Sequence, residues 1–206
     1  MRFPEFFAAV PPLRVRDPLA CFLGAADEGI LEYGYVDAVK LAGHSCPTVA
    51  AAFGMTRAAL AALYGEEMPE RGGIAVALRD AVDTAATGVV GAVAGLLTGA
   101  AGDGGFKGLG GRFGRRNLLS FGARLPLEAR FTRLDTGAAV DAGIDLSSVQ
   151  PPAGLAPAMP RAISGDATPE ELARFGELWQ ERVRRILLEH LDDPAVFIVR
   201  TAAGAA

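Results

Sequence analysis

A histidine and a cysteine stand two residues apart in the segment Gly43-His44-Ser45-Cys46-Pro47, and the chain has only two residues of each type. Imidazole nitrogen and thiolate sulfur are the ligands that zinc and neighbouring transition metals prefer. Pro47 suits the first turn of a helix, where its missing N–H costs nothing. The positive end of that helix would lie next to Cys46, which makes the sulfur a better ligand and a better nucleophile.

Two donors do not complete a metal site, since structural zinc takes four ligands and catalytic zinc takes three plus water. Asp80 and Asp83 are candidate further ligands or bases because they follow a short apolar run, although Asp83 also suits the N-cap of the next helix. Two other interpretations stay open for the pair. Cys46 is a nucleophile with His44 as its base in a metal-free thiol enzyme, or the two residues are a buried thiol and a capping imidazole.

A glycine-rich segment between residues 99 and 114 is interleaved with cationic side chains. Backbone amides freed by glycine, together with nearby cations, can hold a phosphate or a carboxylate. We therefore predict an anion-binding or ligand-binding lid over the His/Cys pair, with Lys107, Arg115, Arg116 and Asn117 as its contacts. No complete phosphate-loop or dinucleotide-binding motif occurs, and a solvated surface loop is the alternative interpretation.

The segment 43–47 and the alanine-rich run that follows it resemble the signature of the FmdE-like proteins, a family named after one component of formylmethanofuran dehydrogenase. Two later segments, Thr98-Gly99 and 114–118, resemble further markers of that family. The resemblance covers roughly residues 30–145. It implies an α+β domain, often dimeric, with a metal near the His/Cys pair. It does not imply the formylmethanofuran reaction, which belongs to other components of that complex.

The chain also departs from that family pattern. Ala42 stands where the family has its first histidine, and Ala100 stands where it has a cysteine. Thr48 replaces the glycine that follows the proline, and a glycine-rich insertion separates the two later markers. The absence of two metal-region side chains predicts a reduced or relocated metal site.

The composition excludes some classes of protein. The chain has 206 residues, half of them apolar, and a formal net charge of −4. This is a globular composition without the basic footprint of a nucleic-acid-binding protein. Two cysteines do not make a disulfide framework, and Cys21 is expected to be a small core residue. Residues 1–30 lack the uninterrupted apolar run of a signal peptide, so the expected compartment is cytoplasmic.

Residues 84–102 are free of charge, so a membrane span has to be considered. The stretch is mostly alanine, glycine and threonine, with few large apolar residues, and we reject a membrane span for that reason. Gly91, Gly95 and Gly99 are spaced by four residues, which places them along one helix face. This pattern predicts a helix that is buried in the core or at a dimer interface.

The remaining elements follow from periodicity and turn residues. Helical spacing predicts a helix over 47–64 that stops at Gly65, and an apolar run predicts a buried strand over 74–78. Residues 33–41 fit either a strand or a helix. Alternation over 127–144 predicts a hairpin that turns at residues 135–137. The fold class is therefore α+β, with a mixed/antiparallel sheet packed against helices and a C-terminal helix and strand.

The C-terminal part begins with prolines over 150–160, which predict an extended connector. Thr168, Pro169 and Glu171 form a capping-box pattern ahead of an amphipathic helix, and residues 195–199 predict a final strand. We divide the chain into residues 1–150, an FmdE-like α+β domain with an irregular lead-in, and residues 151–206, which complete the same unit.

These observations predict a metal-binding protein, with zinc held by His44 and Cys46 and a small-molecule or anion pocket near them. A homodimer is expected from the resemblance. No nucleic-acid or membrane partner is expected. The alternatives are the metal-free thiol enzyme that uses Cys46 and a non-catalytic accessory subunit that acts in assembly.

Overall fold

The computed structural model describes residues 2–202 and has the α+β architecture that the sequence predicts. After a 3₁₀ turn at Glu5–Ala9, the strands are β1 Leu13–Arg16, β2 Ile30–Tyr33, β3 Ile74–Leu78, β4 Leu119–Ser120, β5 Ala129–Arg133, β6 Ala139–Ile144 and β7 Phe197–Thr201. The helices are α1 Pro18–Phe22, α2 Tyr35–Ala42, α3 Pro47–Tyr64, α4 Thr87–Thr98, α5 Leu155–Ser164 and α6 Pro169–Arg184, and α6 continues into a π-helical turn, Arg185–Glu189.

Five strands form the main sheet in the order β4-β3-β5-β6-β7, and β1 pairs with β2 in a separate two-stranded sheet. Strands β3 and β4 run parallel, whereas the other neighbours in the main sheet are antiparallel. Phe131 on the central strand β5 lies opposite both Val76 and Val140, and all three side chains are buried. The burial of alternate residues along β3 and β5 marks the face that forms the core.

Helix α3 packs against this core. Phe53, Met55 and Leu60 are completely buried on it, and its alanines let the backbone approach the sheet. At Gly54 the approach is so close that any Cβ would overlap the ring of Phe197 on β7. The helix ends at Gly65, whose positive φ suits glycine at a helix terminus. The sequence prediction of a helix over 47–64 with a stop at Gly65 is confirmed.

Several other predicted elements are confirmed. The strand over 74–78 and the hairpin are present, although the paired part of the hairpin is shorter than the alternating pattern. The ambiguous segment 33–41 contains the end of a strand and then helix α2, because Gly34 separates the two. The capping box at Thr168 is formed in both directions.

The prediction of an extended connector over 150–160 is wrong, since α5 begins at Leu155. Pro157 lies in the first turn, where a missing N–H has no cost, and only Pro160 removes a helical hydrogen bond. Helix α5 then packs against α6. The expectation that Cys21 is a core residue is also wrong, because its side chain is exposed.

The glycine-spaced helix is shorter than the uncharged stretch that predicted it. Gly99 has a φ of +76° and ends α4 rather than extending its face. A Cβ at Gly91 would lie 2.8 Å from the ring of Phe121, so the small residues accommodate contacts within this chain. Asp83 is not the N-cap, since α4 begins after Ala86. None of the helices within residues 2–202 combines the length and the apolar character that a bilayer crossing requires.

Candidate functional site

The loop 43–46 connects α2 to α3 and carries both residues of the His/Cys pair. Gly43 adopts a φ of +76° and ends α2, which turns the chain toward α3. Ser45, at the centre of the loop, lies between Tyr35 on α2 and Gln180 on α6. Its hydroxyl donates to Oε1 of Gln180 over 2.9 Å, so the hydroxyl of Tyr35, also 2.9 Å away, is the donor to Ser45.

Helix α6 holds the backbone of the same loop. The carbonyl oxygen of Ser45 accepts hydrogen bonds from Nε1 of Trp179 at 3.0 Å and from Nε2 of Gln180 at 3.2 Å. Burial raises the pKa of Tyr35, so its hydroxyl stays protonated and remains a donor. The loop is therefore positioned both by a neighbouring helix and by side chains that lie more than a hundred residues away in the sequence.

The two side chains of the pair differ in their surroundings. His44 is exposed, and its Nδ1 lies 3.0 Å from the carbonyl oxygen of Ala42. A carbonyl only accepts, so Nδ1 carries a proton; in the neutral imidazole Nε2 then keeps its lone pair, which is the usual arrangement in a metal-ligating histidine. Cys46 is half-buried at the N-cap of α3, where its Sγ accepts the N–H of Val49 at 3.5 Å.

The donor set around this pair is small. Within residues 2–202, no group of three or more His, Cys, Asp and Glu side chains is arranged to hold a metal ion. Asp83 is exposed in the loop before α4. His44 and Cys46 thus offer two ligands from one chain, which does not fit a complete zinc site.

A cavity of about 400 Å³ lies at the N-terminal ends of α3 and α4, which we call the α3–α4 cavity. It begins immediately after the His/Cys loop, because Pro47 and Thr48 are part of its wall. Its apolar wall includes Ala51, Leu78, Val90, Ile144 and Leu146, and its polar wall includes Thr48, Asp80, Thr87 and Glu128.

Glu128 is a carboxyl group in this cavity whose pKa is raised above its ordinary value. Burial raises the pKa of Glu128, and the negative charge of Asp80 acts in the same direction. The N–H of Ile144, which donates to Oε2 at 2.6 Å, and the charge of Arg79 act in the opposite direction but are weaker. A carboxyl whose pKa is raised by burial in a cavity is a common feature of functional sites, where such a group accepts or donates a proton.

The glycine-rich segment does not line the α3–α4 cavity within the described part of the chain. Lys107, Arg116 and Asn117 are not buried, whereas Arg115 is buried and its Nη2 forms an ion pair with Oδ1 of Asp17 at 2.6 Å. None of these four residues therefore lines the α3–α4 cavity, and Arg115 belongs to a separate ion-pair cluster with Asp17.

Asp80 is a candidate from the sequence, whereas Thr48, Thr87 and Glu128 emerge only from the structure. The alternating pattern of the predicted hairpin places Glu128 and Phe131 on different faces of the sheet. It does not indicate which residues of other segments surround Glu128. The four residues come from separate segments, and no spacing in the sequence relates them.

Comparison with known proteins adds no assignment, because no model of a protein family matches the chain and no curated protein matches its sequence.

Proposed function

We propose that this protein binds a small molecule in the α3–α4 cavity. The cavity offers acceptors at the carboxyl groups of Asp80 and Glu128 and hydroxyl donors at Thr48 and Thr87, at the starts of α3 and α4. The hydroxyl of threonine can donate to a carbonyl or carboxylate oxygen. The ligand that fits is a small molecule with an amine or hydroxyl donor, a carbonyl or carboxylate acceptor and an apolar part.

The observation that carries this proposal is the carboxyl of Glu128. Its burial next to the carboxyl of Asp80 costs free energy that the hydrogen bond from the N–H of Ile144 only partly offsets. A ligand with a donor group would compensate for that cost. If the bound molecule reacts, Glu128 is the group in the cavity that is placed to exchange a proton with it.

Ligand-observed NMR with a library of small amines, amino acids and amides tests this function. Thr87→Trp places a large side chain into the cavity wall and is expected to abolish binding of the molecules that the wild type retains. Thr84→Trp is the matched control, because Thr84 is exposed three residues earlier and does not line the cavity. Equal binding by the two variants would place any ligand elsewhere and contradict the proposal.

Zinc binding is the second candidate function. The donation from Nδ1 of His44 to Ala42 supports it, because in the neutral imidazole this tautomer has its lone pair on Nε2, where a metal can bind. The further ligands would come from water, from a bound molecule or from a second copy of the chain. We propose a homodimer of FmdE-like type on this ground, and we assign no reaction step to the metal.

Elemental analysis of the purified protein tests the zinc proposal. Stoichiometric zinc that is lost in both His44→Ala and Cys46→Ala supports it, and the molar mass of the zinc-loaded protein shows whether a second copy takes part. Protein without zinc whose Cys46 is readily alkylated would favour the metal-free thiol enzyme instead.

A further inference from the structure

A second cavity, of about 420 Å³, lies between the start of α1, the segment before β3 and the glycine-rich segment. We call it the arginine cavity. Its lining residues are Pro18, Glu70, Arg71, Gly72, Arg112, Phe113, Gly114 and Arg115. It shares no lining residue with the α3–α4 cavity, so an inference about it is independent of the function proposed above.

The charges at the arginine cavity do not balance within the described residues. Asp17 is shared by two guanidinium groups, Arg71 at 2.9 Å and Arg115 at 2.6 Å. Arg112 contributes a third cation and Glu70 a second carboxylate. Three positive groups therefore meet two negative ones, in a region where the side chain of Arg115 is only 8% exposed.

Arg115 also has hydrogen-bonding capacity left over. Its Nη1 is buried and has no acceptor among residues 2–202. Nη1 occupies the space above two glycines, because a Cβ at Gly72 or at Gly99 would overlap it. A buried guanidinium nitrogen without a partner costs free energy, and an anion in the cavity would reduce that cost by offsetting the charge.

The surroundings of the arginines indicate what kind of molecule carries the anion. Phe113 has a φ of +63°, an uncommon conformation for an aromatic residue that positions it at the cavity. Its ring lies 5.2 Å from that of Phe22, which is 60% exposed, and Arg112 lies over the ring of Phe113 at 4.6 Å. The cations are therefore bordered by an aromatic surface that can contact the organic part of a ligand.

We propose that the arginine cavity binds the oxyanion of a small organic molecule, a phosphate or a carboxylate, with the guanidinium groups of Arg71, Arg112 and Arg115 as its cationic contacts. Guanidinium groups suit both anions because their planar donors match paired oxygens. The aromatic surface of Phe22 and Phe113 contacts the organic part.

Titration of the full chain with phenyl phosphate and with benzoate, at constant ionic strength, tests this site by isothermal calorimetry. Saturable binding of either probe is expected, and the tighter one identifies the phosphate or the carboxylate as the preferred group. Arg112→Ala is expected to weaken binding about tenfold, since a hydrogen bond to a charged group is lost. Arg112 is exposed and outside the Asp17 ion pairs, so this variant keeps the fold.

Arg116→Ala is the matched control, because Arg116 is an exposed arginine of the same segment that does not line the cavity. It is expected to bind both probes as the wild type does. Absence of saturable binding for both probes would overturn the proposal, as would an equal loss in the two variants, which would indicate non-specific attraction. Amide shifts of Gly72 and Gly114 in NMR spectra provide a second readout, and binding that leaves both unchanged would also overturn it.

Discussion

Replacing Asp17 by Asn should destabilise the protein because it removes a buried negative charge and one hydrogen-bond acceptor. The Asp17 side chain is 5% exposed and accepts hydrogen bonds from the N–H groups of Leu19 and Ala20 as well as from Arg71 and Arg115. An Asn side chain keeps the oxygen that caps α1 but removes the negative charge, and its NH2 group takes the place of the oxygen that accepts from Arg71. The guanidinium groups of Arg71 and Arg115 then lose their carboxylate partner.

Breaking a buried ion pair by removing one partner costs about 3–5 kcal/mol. Arg71 is 20% exposed and also donates to the carbonyl oxygen of Leu96, so the lower end of this range applies, about 3 kcal/mol. For a chain of this size that corresponds to a fall in Tm of roughly 6–12 °C. Urea unfolding at pH 7, followed by circular dichroism, measures the free energy of unfolding directly.

The pH dependence of the same variant provides an independent check. Burial alone would raise the pKa of Asp17, but the hydrogen bonds from Arg71 and Ala20 and the charges of Arg115 and Arg71 together lower it below its ordinary value of 3.8. The stabilisation is therefore fully present above pH 3.8 and is lost as the pH falls through the lower folded-state pKa. The difference between wild type and Asp17→Asn should be constant near neutrality and shrink in acid.

Asp192→Asn is the control, since Asp192 pairs with Arg57 at the surface and is 85% exposed. It should leave the unfolding midpoint unchanged. If Asp17→Asn is as stable as Asp192→Asn at pH 7, the ion pairs of Asp17 contribute nothing to stability and the reasoning is refuted.

Three further variants test the loop and the α3–α4 cavity. Glu128→Gln keeps an acceptor for Ile144 and should raise the free energy of unfolding at neutral pH, because a carboxyl whose folded-state pKa exceeds its ordinary 4.5 loses stabilisation as the pH rises. Urea unfolding from pH 4 to 7 should show a gain in stability that grows with pH, and a gain independent of pH would contradict this. Ser45→Ala removes the acceptor of the buried Tyr35 hydroxyl and should cost about 1–3 kcal/mol in the same assay, so an unchanged midpoint would count against the loop network. Cys46→Ser places a better N-cap at the start of α3 and should leave the thermal midpoint equal or higher, whereas a lower midpoint would mean that the sulfur is needed for packing.

Local signals are sufficient to predict the elements that flank the site. Pro47 and Gly65 bound α3 because each acts within one turn of its own position. The apolar run at 74–78 identifies β3 because a buried strand needs little more than continuous hydrophobicity. Helix α5 escapes prediction because a proline-rich stretch favours an extended chain, although one of the prolines lies in the first helical turn.

The two cavities cannot be predicted in the same way. Arg115 pairs with Asp17 across 98 positions of sequence, and neither residue has a neighbour that indicates the other. The sequence identifies Arg115 as a cation in a glycine-rich segment, but its burial depends on Gly72 and Gly99, which make room for it. The loop 43–46 is recognisable from its own residues, whereas the side chains that hold it come from α2 and α6.

The most direct test of small-molecule binding in the α3–α4 cavity is crystallographic. Crystals are soaked with a library of small molecules that carry both a donor and an acceptor group. We predict electron density for a bound molecule in contact with Asp80 or Glu128 in the wild type and none there in Thr87→Trp. Bound molecules found only at other surfaces, with this cavity holding solvent alone, would contradict the proposed function.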